Sequence, residues 1–234
     1  LKASRHSDTP QIDTPHSRRR VSLADYEFAD LIDQQDKVRL LIDPTSSYAQ
    51  AAAMAMGRAM DDVIIAAATG TAFTGETGAT SESAQTAIAA SVGTGTGLNL
   101  VKLTTAKRLL DDADVDPSIP RHIIVGPEQL QNLLALETVT SSDYNTIKAL
   151  VHGEIDSFLG FKFTVSNRLA KSGNDRTCIV YAEDGITLGI GKDISARIDE
   201  RADKSYATQV YYCQSIGATR MEKAKVVPIT CTEA

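Results

Sequence analysis

Tryptophan is absent from this chain of 234 residues, and aromatic residues make up only 5 % of it. Because small-molecule sites are lined mainly by apolar and aromatic side chains, this composition argues against a deep, ring-lined ligand pocket. The formal net charge is −6, and no basic run is longer than Arg18–Arg20. A dedicated DNA-binding protein is usually basic, so sequence-specific DNA recognition is not expected.

Long apolar runs and targeting segments are also lacking. No stretch approaches the ~20 apolar residues of a transmembrane helix, and no signal peptide is visible. The chain begins at Leu1, which leaves open whether a preceding piece was removed or is missing. We therefore expect a soluble protein made in the cytoplasm, with no membrane partner.

Residues that support catalysis or bind metals are sparse. The histidines lie far apart, and no H-E-x-x-H or G-x-S-x-G motif occurs. Cys178, Cys213 and Cys231 form no C-x-x-C pair and are predicted to be buried structural thiols. The glycine-rich stretch 93–97 follows an Ala/Ser segment instead of a strand, so it lacks the context of a phosphate-binding loop. We predict no catalytic residue, no cofactor and no metal site.

A long Ala- and Met-rich segment predicts one helix over residues 46–69, about 35 Å long. Pro44 precedes it, Thr45, Ser46 or Ser47 are candidate N-caps, and Gly70 stands at the C-cap position. Adjacent helical residues point about 100° apart. One of Asp61 and Asp62 is therefore expected to pair with an arginine such as Arg58, and the other to meet solvent or a neighbouring subunit.

Residues 1–43 carry many charges and few core-forming side chains. Val21 and Leu23 alternate with polar residues. Val38, Leu40 and Ile42 alternate on one face with Lys37, Arg39 and Leu41 on the other, so two extended pieces are predicted. Between them the apolar pattern changes phase, which predicts a bulge, a helical turn or a hairpin tip over 25–36. An isolated two-stranded ribbon is marginally stable in water, so we expect this arm to lie on another subunit.

The rest of the chain changes from helix-rich to strand-rich. Residues 71–97 are rich in small and polar residues and predict loops. Asn99 is a candidate N-cap for a helix, a short strand is predicted over 122–125, and Gly126-Pro127 begins another helix. A further helix is predicted over 144–151. Strands are predicted over 158–165, 177–182, 186–190, 194–201, 206–217 and 225–230, with a hairpin turned by Asp203-Lys204.

The order of these segments resembles one known family. A charged arm, a long helix containing GRAMDD, the segment RHIIVGPEQLQNLL and the segment LVHGEIDSFLGFKFTVSNRL occur in turn. Together they resemble the major capsid protein of tailed double-stranded DNA bacteriophages, whose fold is shared with encapsulins and herpesvirus capsid floors. The resemblance implies an α+β fold with an extended β-hairpin arm (1–43), a spine helix of the peripheral domain (44–70), an axial domain (71–190) and peripheral strands (191–234).

The resemblance also implies a function. The chain would assemble with copies of itself into hexamers and pentamers of an icosahedral virion capsid, formed in the host cytoplasm. The shell would enclose double-stranded DNA without sequence-specific contact, and scaffold, portal and cement proteins are candidate partners. The expected subunit contacts involve twelve residues of the arm and the helix: Arg18, Arg19, Arg20, Asp25, Glu27, Asp30, Val38, Leu40, Ile42, Arg58, Asp61 and Asp62.

Within these contacts, the arm arginines are expected to pair with the arm carboxylates of an adjacent copy. Val38, Leu40 and Ile42 are expected to pack on the neighbour's spine helix. Two alternatives remain: an encapsulin-like shell that holds cargo enzymes, and a soluble α/β enzyme. Nucleic acid inside particles distinguishes the first alternative from a virus capsid, and a monodisperse monomer favours the second.

Overall fold

The computed structural model describes residues 11, 13, 16–33, 35, 45–93, 95–135 and 157–233. Within these ranges the chain forms three α-helices, which we label α1 (Thr45–Thr69), α2 (Leu100–Asp112) and α3 (Pro127–Leu134). The segments Val38 to Ile42 and Tyr144 to Val151, which were predicted as a strand and a helix, lie outside the described residues.

Twelve strands accompany the helices in the described part of the chain. They are β1 (Arg19–Arg20), β2 (Ala24–Ile32), β3 (Ala72–Thr74), β4 (Thr80–Glu82), β5 (Arg121–Val125), β6 (Ser157–Phe158), β7 (Phe161–Val165), β8 (Lys171–Ser172), β9 (Asp175–Ala182), β10 (Ile186–Arg201), β11 (Ala207–Arg220) and β12 (Val226–Thr232). They form a small sheet β1-β3-β4, a spine sheet β10-β11-β2 and a six-stranded central sheet β12-β9-β5-β7-β6, in which β8 pairs with β9.

Helix α1 confirms the predicted long helix. It begins at Thr45, so Thr45, Ser46 and Ser47 all lie inside its first turn and none of them is the N-cap. At its other end the N–H of Gly70 donates to the carbonyl of Ala66 at 2.8 Å. A Cβ atom on Gly70 would lie 2.7 Å from that same carbonyl oxygen, so the close approach favours glycine there.

The inner face of α1 packs on the spine sheet. Ala52 and Met56 are buried in this contact, and the side-chain amide of Gln214 on β11 donates to the carbonyl of Met56 at 3.1 Å. Near the C-terminal end of α1, Ile65 and Ala68 join the hydrophobic core of the central sheet. The last turns of α1, at Ile65 and Ala68, therefore also contact the central sheet.

Helices α2 and α3 begin where the sequence predicted. The side chain of Asn99 accepts the N–H of Lys102 at 2.9 Å, which confirms it as the N-cap of α2. The periodic residues Leu103, Ala106 and Leu110 are fully buried against the central sheet. Pro127 occupies the first turn of α3, where its missing N–H costs nothing.

Residues 25–36 were predicted to hold a bulge, a helical turn or a hairpin tip. For residues 25–32 this was wrong, whereas Gln35 is helical, as one of the three alternatives has it. Ala24–Ile32 is one continuous strand, antiparallel to β11, with Ile32 opposite Thr208 and Ala24 opposite Ile216. The phase changes earlier because residues 21–23 cross the sheet before β2 begins. A Cβ atom on Gly217 would meet the backbone of Ser22, so this crossing requires glycine beneath it.

Other elements differ from the prediction. The strand predicted over 158–165 is broken by a turn between β6 and β7, and β3 and β4 lie in the region predicted as loops. The stretches 186–190 and 194–201 form one strand, β10, with register shifts between residues 190 and 195. In addition, β12 pairs with β9 in the central sheet, so residues 226–232 lie beside the segment 121–182 instead of with β10 and β11. The division into axial (71–190) and peripheral (191–234) domains stays a prediction.

Candidate assembly interface

The outer face of α1 is exposed from Ser47 to Asp61. Ser47, Ala51, Met54, Arg58 and Asp61 follow one another at helical spacing, and all five are exposed. Met54 alone leaves 66 % of its surface accessible. The same stripe continues into Ile65 and Ala68, which the central sheet covers. We call the five exposed residues the outer stripe; no described part of the chain buries it.

Strand β10 exposes a second apolar surface. It forms one edge of the spine sheet, and no described strand pairs with its outer side. Ile190, Ile194 and Ile198 are 53 %, 39 % and 50 % exposed. Edge strands with exposed apolar side chains tend to associate with other chains, whereas the register shifts on this strand limit uncontrolled pairing. The edge therefore suits a specific protein contact.

The predicted hairpin is confirmed, and it is long. Strands β10 and β11, with 16 and 14 residues, are joined by a short helical turn at Ala202–Lys204. Arg201 donates to both carboxylate oxygens of Asp203 at 2.8 Å and lowers the pKa of that carboxyl to about 2. Tyr206, which follows the turn, is 62 % exposed. The tip thus presents an aromatic ring at the far end of the hairpin.

Several arm charges have partners in their own subunit. Arg19 forms an ion pair with Glu82 at 3.6 Å, and Arg20 lies 4.5 Å over the ring of Phe73. The hydroxyl of Tyr211 donates to Glu27 at 3.0 Å, which raises the pKa of Tyr211 to about 12. The prediction paired these side chains with an adjacent copy and did not foresee the internal contacts.

The remaining predicted residues are placed as follows. Arg18 and Asp25 are exposed, and Asp30 accepts the N–H of Leu31 at 2.9 Å. Val38, Leu40 and Ile42 lie outside the described residues. All of these stay predicted contact residues.

Asp62 does pair with an arginine, but Arg58 as the partner was wrong. Arg168, in the loop after β7, donates two hydrogen bonds to the Asp62 carboxylate and lowers its pKa. This pair joins α1 to the central sheet, while Arg58 and Asp61 remain on the outer stripe. Arg168 and Asp62 are 106 residues apart in the sequence, so no local sequence pattern could predict this ion pair.

Sequence reasoning also missed a buried arginine. Arg220 is fully buried at the end of β11, where it donates to the carbonyls of Ala68 and Gly70 at 3.0 and 2.9 Å and to that of Glu82 at 3.0 Å. The last carbonyls of a helix lack internal partners and carry partial negative charge. Arg220 therefore caps α1 and ties it to the small sheet.

A buried lysine and a buried glutamate hold the last strand. Lys102 is fully buried, and its ammonium donates to the carbonyls of Thr96, Gly97 and Thr230 at 2.8, 2.7 and 3.2 Å. Burial lowers its pKa. Glu233 is 6 % exposed and accepts hydrogen bonds from Arg176, Lys171 and Gln129.

Acid should weaken this contact within a defined pH window. Hydrogen bonds from Arg176 and Lys171 lower the pKa of Glu233 from 4.5 to about 2. A carboxyl whose pKa is lower in the folded state stabilises the fold above its unfolded pKa, and this contribution is lost as the pH falls from 4.5 towards 2. We expect Glu233→Gln to reduce the slope of unfolding free energy against pH in that window. Urea unfolding at several pH values measures it, and equal slopes would contradict the assignment.

Among the described residues, no three His, Cys, Asp or Glu side chains cluster as metal ligands would. None of the helices described is long and apolar enough to cross a membrane. The three cysteines are buried free thiols, as predicted.

Comparisons with known proteins agree with the geometry. Residues 1–233 match the sequence profile of the family described as phage capsid protein. A search of curated proteins found no match.

Solved structures share the fold. The capsid chain of cyanophage P-SCSP1u is similar with a TM-score of 0.69 at 14 % identity, covering 100 % of this chain and 81 % of that chain. A chain of Mycobacterium phage Che8 gives 0.64 at 20 % identity, covering 88 % and 70 %. The capsid of an empty GTA particle gives 0.65 at 14 % identity, covering 98 % and 80 %.

The α+β phage capsid fold expected from the sequence is thereby confirmed, whereas the extended arm stays a prediction. The profile match spans nearly the whole chain, and the spine helix, the long hairpin and the central sheet form the same fold as these capsid chains. The chain therefore belongs to the phage capsid protein family.

Proposed function

We propose that this protein is the major capsid protein of a tailed phage and forms hexamers and pentamers of an icosahedral shell around double-stranded DNA. The observation that carries the proposal is the family match over residues 1–233. Proteins of the phage capsid family have a structural role and are located in the virion. Our proposal adds assembly in the host cytoplasm.

The outer stripe on α1 is the surface we assign to a neighbouring subunit. It combines small side chains, the exposed Met54 and two charges, Arg58 and Asp61, so a segment of another chain can lie close to the helix. We propose the arm of the adjacent copy as that segment, with Val38, Leu40 and Ile42 facing the stripe. Burying apolar surface contributes about 25 cal/mol for each Å² removed from water.

Shells built from one sequence must form both hexamers and pentamers, so the contacts must tolerate changes of angle. Exposed ion pairs suit this purpose because each contributes only about 0 to 1 kcal/mol and the side chains can rearrange. Arg18, Asp25 and Asp30 are exposed or half-buried on the arm and remain our candidates for such pairs. Ala51 and Met54 of the outer stripe supply affinity, and the charges set the orientation of the two copies.

The net charge of −6 fits a shell that encloses DNA without holding it tightly. Phosphate contacts bind through Lys and Arg, and a strongly basic inner surface would oppose packaging and release of the genome. We propose scaffold, portal and cement proteins as further partners, which contact the shell after or during its assembly.

Electron microscopy of the purified protein tests the proposal. We expect closed polyhedral shells tens of nanometres across, with nuclease-resistant nucleic acid in particles taken from infected cells. Absorbance at 260 and 280 nm measures that content. Shells that contain protein cargo and no nucleic acid would favour an encapsulin-like compartment instead. If the protein stays monomeric at every salt and protein concentration, the proposal is contradicted and the alternative of a soluble enzyme is favoured.

A further inference from the structure

The Glu233 side chain lies in a pocket built by three separate elements. Arg176 belongs to β9, Lys171 to β8 and Gln129 to α3. One carboxylate oxygen of Glu233 accepts from Nε of Arg176 and from Nε2 of Gln129, the latter at 3.1 Å. The other oxygen accepts from the Lys171 ammonium and from Nη2 of Arg176 at 3.4 Å. Both oxygens are thus bound by the forked guanidinium.

The pocket is built independently of its carboxylate. Arg176 is only 9 % exposed and Gln129 is fully buried. The Nη1 atom of Arg176 donates to the carbonyl of Asn167 at 3.1 Å, which holds the guanidinium in place. A Cβ atom on Gly126 would lie 2.8 Å from Cδ of Arg176, so the side chain is also held by close packing. Contacts that do not involve Glu233 therefore hold the Arg176 guanidinium at this position.

We propose that Arg176, Lys171 and Gln129 form a carboxylate-binding site that Glu233 occupies in cis, and that a small free carboxylate occupies it when this side chain is removed. Two cations and an amide donor remain in the pocket without Glu233. A planar guanidinium matches the two oxygens of a carboxylate and not a spherical halide. The expected ligands are therefore acetate and formate.

The carboxylate in this site links elements that are distant in the sequence. Glu233 directly follows β12, and its backbone N–H donates to the carbonyl of Asn174 at 2.7 Å. The bound carboxylate thus connects the end of β12 with β8, β9 and the first turn of α3. A ligand in the empty site should restore the link between α3 and β9, but it cannot restore the tether to β12.

Thermal unfolding of the full chain carrying Glu233→Ala tests the site. Sodium acetate or formate is titrated against sodium chloride at equal ionic strength and constant pH. We expect the carboxylate to raise the melting temperature of this variant in a saturable way, by about 2–4 °C beyond its effect on the wild type. Glu200→Ala, at an exposed position on β10, is the matched control and should respond like the wild type.

A second variant tests which residues bind the added ligand. In the double variant Arg176→Met/Glu233→Ala the carboxylate response should disappear. If Glu233→Ala does not fold well enough to melt, its refolding yield from urea replaces the melting temperature, and acetate should raise that yield above the chloride control. An equal response of Glu233→Ala to carboxylate and chloride would overturn the proposal in either measurement. Shell formation enters neither measurement, so the result is independent of the proposed function.

Discussion

Met54→Asp should give a folded subunit that does not assemble into shells. Met54 is the most exposed large apolar side chain of the outer stripe, so aspartate buries no charge within the subunit. The change in helix propensity costs less than about 1 kcal/mol. In the shell, however, the carboxylate would lie against the neighbour's apolar segment without a partner, where its desolvation opposes every repeated contact. Electron microscopy and size-exclusion chromatography measure the loss of particles.

Val101→Asp is the matched control for this result. Val101 is 47 % exposed on α2, away from the outer stripe, and receives the same apolar-to-acid change on a helix surface. We expect this variant to form shells. Normal shells from Met54→Asp would show that the outer stripe is not an assembly contact. Loss of shells in both variants would show that the effect of Met54→Asp is not specific to the outer stripe.

The other half of the same contact is tested on the arm. Val38→Asp/Leu40→Asp should also leave soluble, folded monomers that fail to assemble, because these side chains are proposed to lie on the stripe of the next subunit. Circular dichroism checks the fold and light scattering checks assembly. Particles of normal size from this double variant would show that the arm is not the segment that contacts the outer stripe. The outer stripe could then still contact another part of a neighbouring subunit.

Arg220→Met should strongly destabilise the subunit. Methionine fills much of the space but donates no hydrogen bond, so the carbonyls of Ala68, Gly70 and Glu82 lose their partner inside the protein. Leaving buried polar groups unpaired costs about 1–3 kcal/mol each when water cannot reach them. We expect the free energy of unfolding to fall by about 3 kcal/mol or more, measured by urea unfolding.

The same change at an exposed arginine provides the control. Arg108 forms an exposed ion pair with Asp112 at 3.6 Å, so Arg108→Met should change stability by less than about 0.5 kcal/mol. Arg220→Lys should rescue only part of the loss, because one ammonium cannot replace the two guanidinium nitrogens that reach α1 and β4 separately. Equal stability of Arg220→Met and Arg108→Met would refute the capping role.

Much of the fold could be predicted because its signals are local. The Ala- and Met-rich composition of α1, the Asn99 cap and Pro127 each act within one or two helical turns. The hairpin of β10 and β11 has alternating residues on both sides of a polar turn. The strand β2 was missed for a physical reason as well. Residues 21–23 cross the spine sheet, and the phase of the pattern changes where that crossing ends.

The candidate interface was only partly predictable. Arg58 and Asp61 were identified from their position on a long helix, and they do lie on the outer stripe. Met54 was missed because a periodic apolar residue looks the same whether it faces the core or a neighbour. Met54 and Ile65 lie on the same face of α1, but the central sheet covers only Ile65. The position where the central sheet ends decides this difference, and the sequence of α1 does not contain that information.

By itself the sequence determined the three described helices, the main hairpin and the resemblance to phage capsid proteins, because these depend on neighbouring residues and on segment order. Only the tertiary structure decided how the buried charges pair. Arg220 meets the end of α1 across 150 residues, Lys102 meets Thr230 across 128, and Arg176 meets Glu233 across 57. Burying a charged side chain is too costly unless another element provides hydrogen-bond partners for it. The packing of the elements determines where those partners lie.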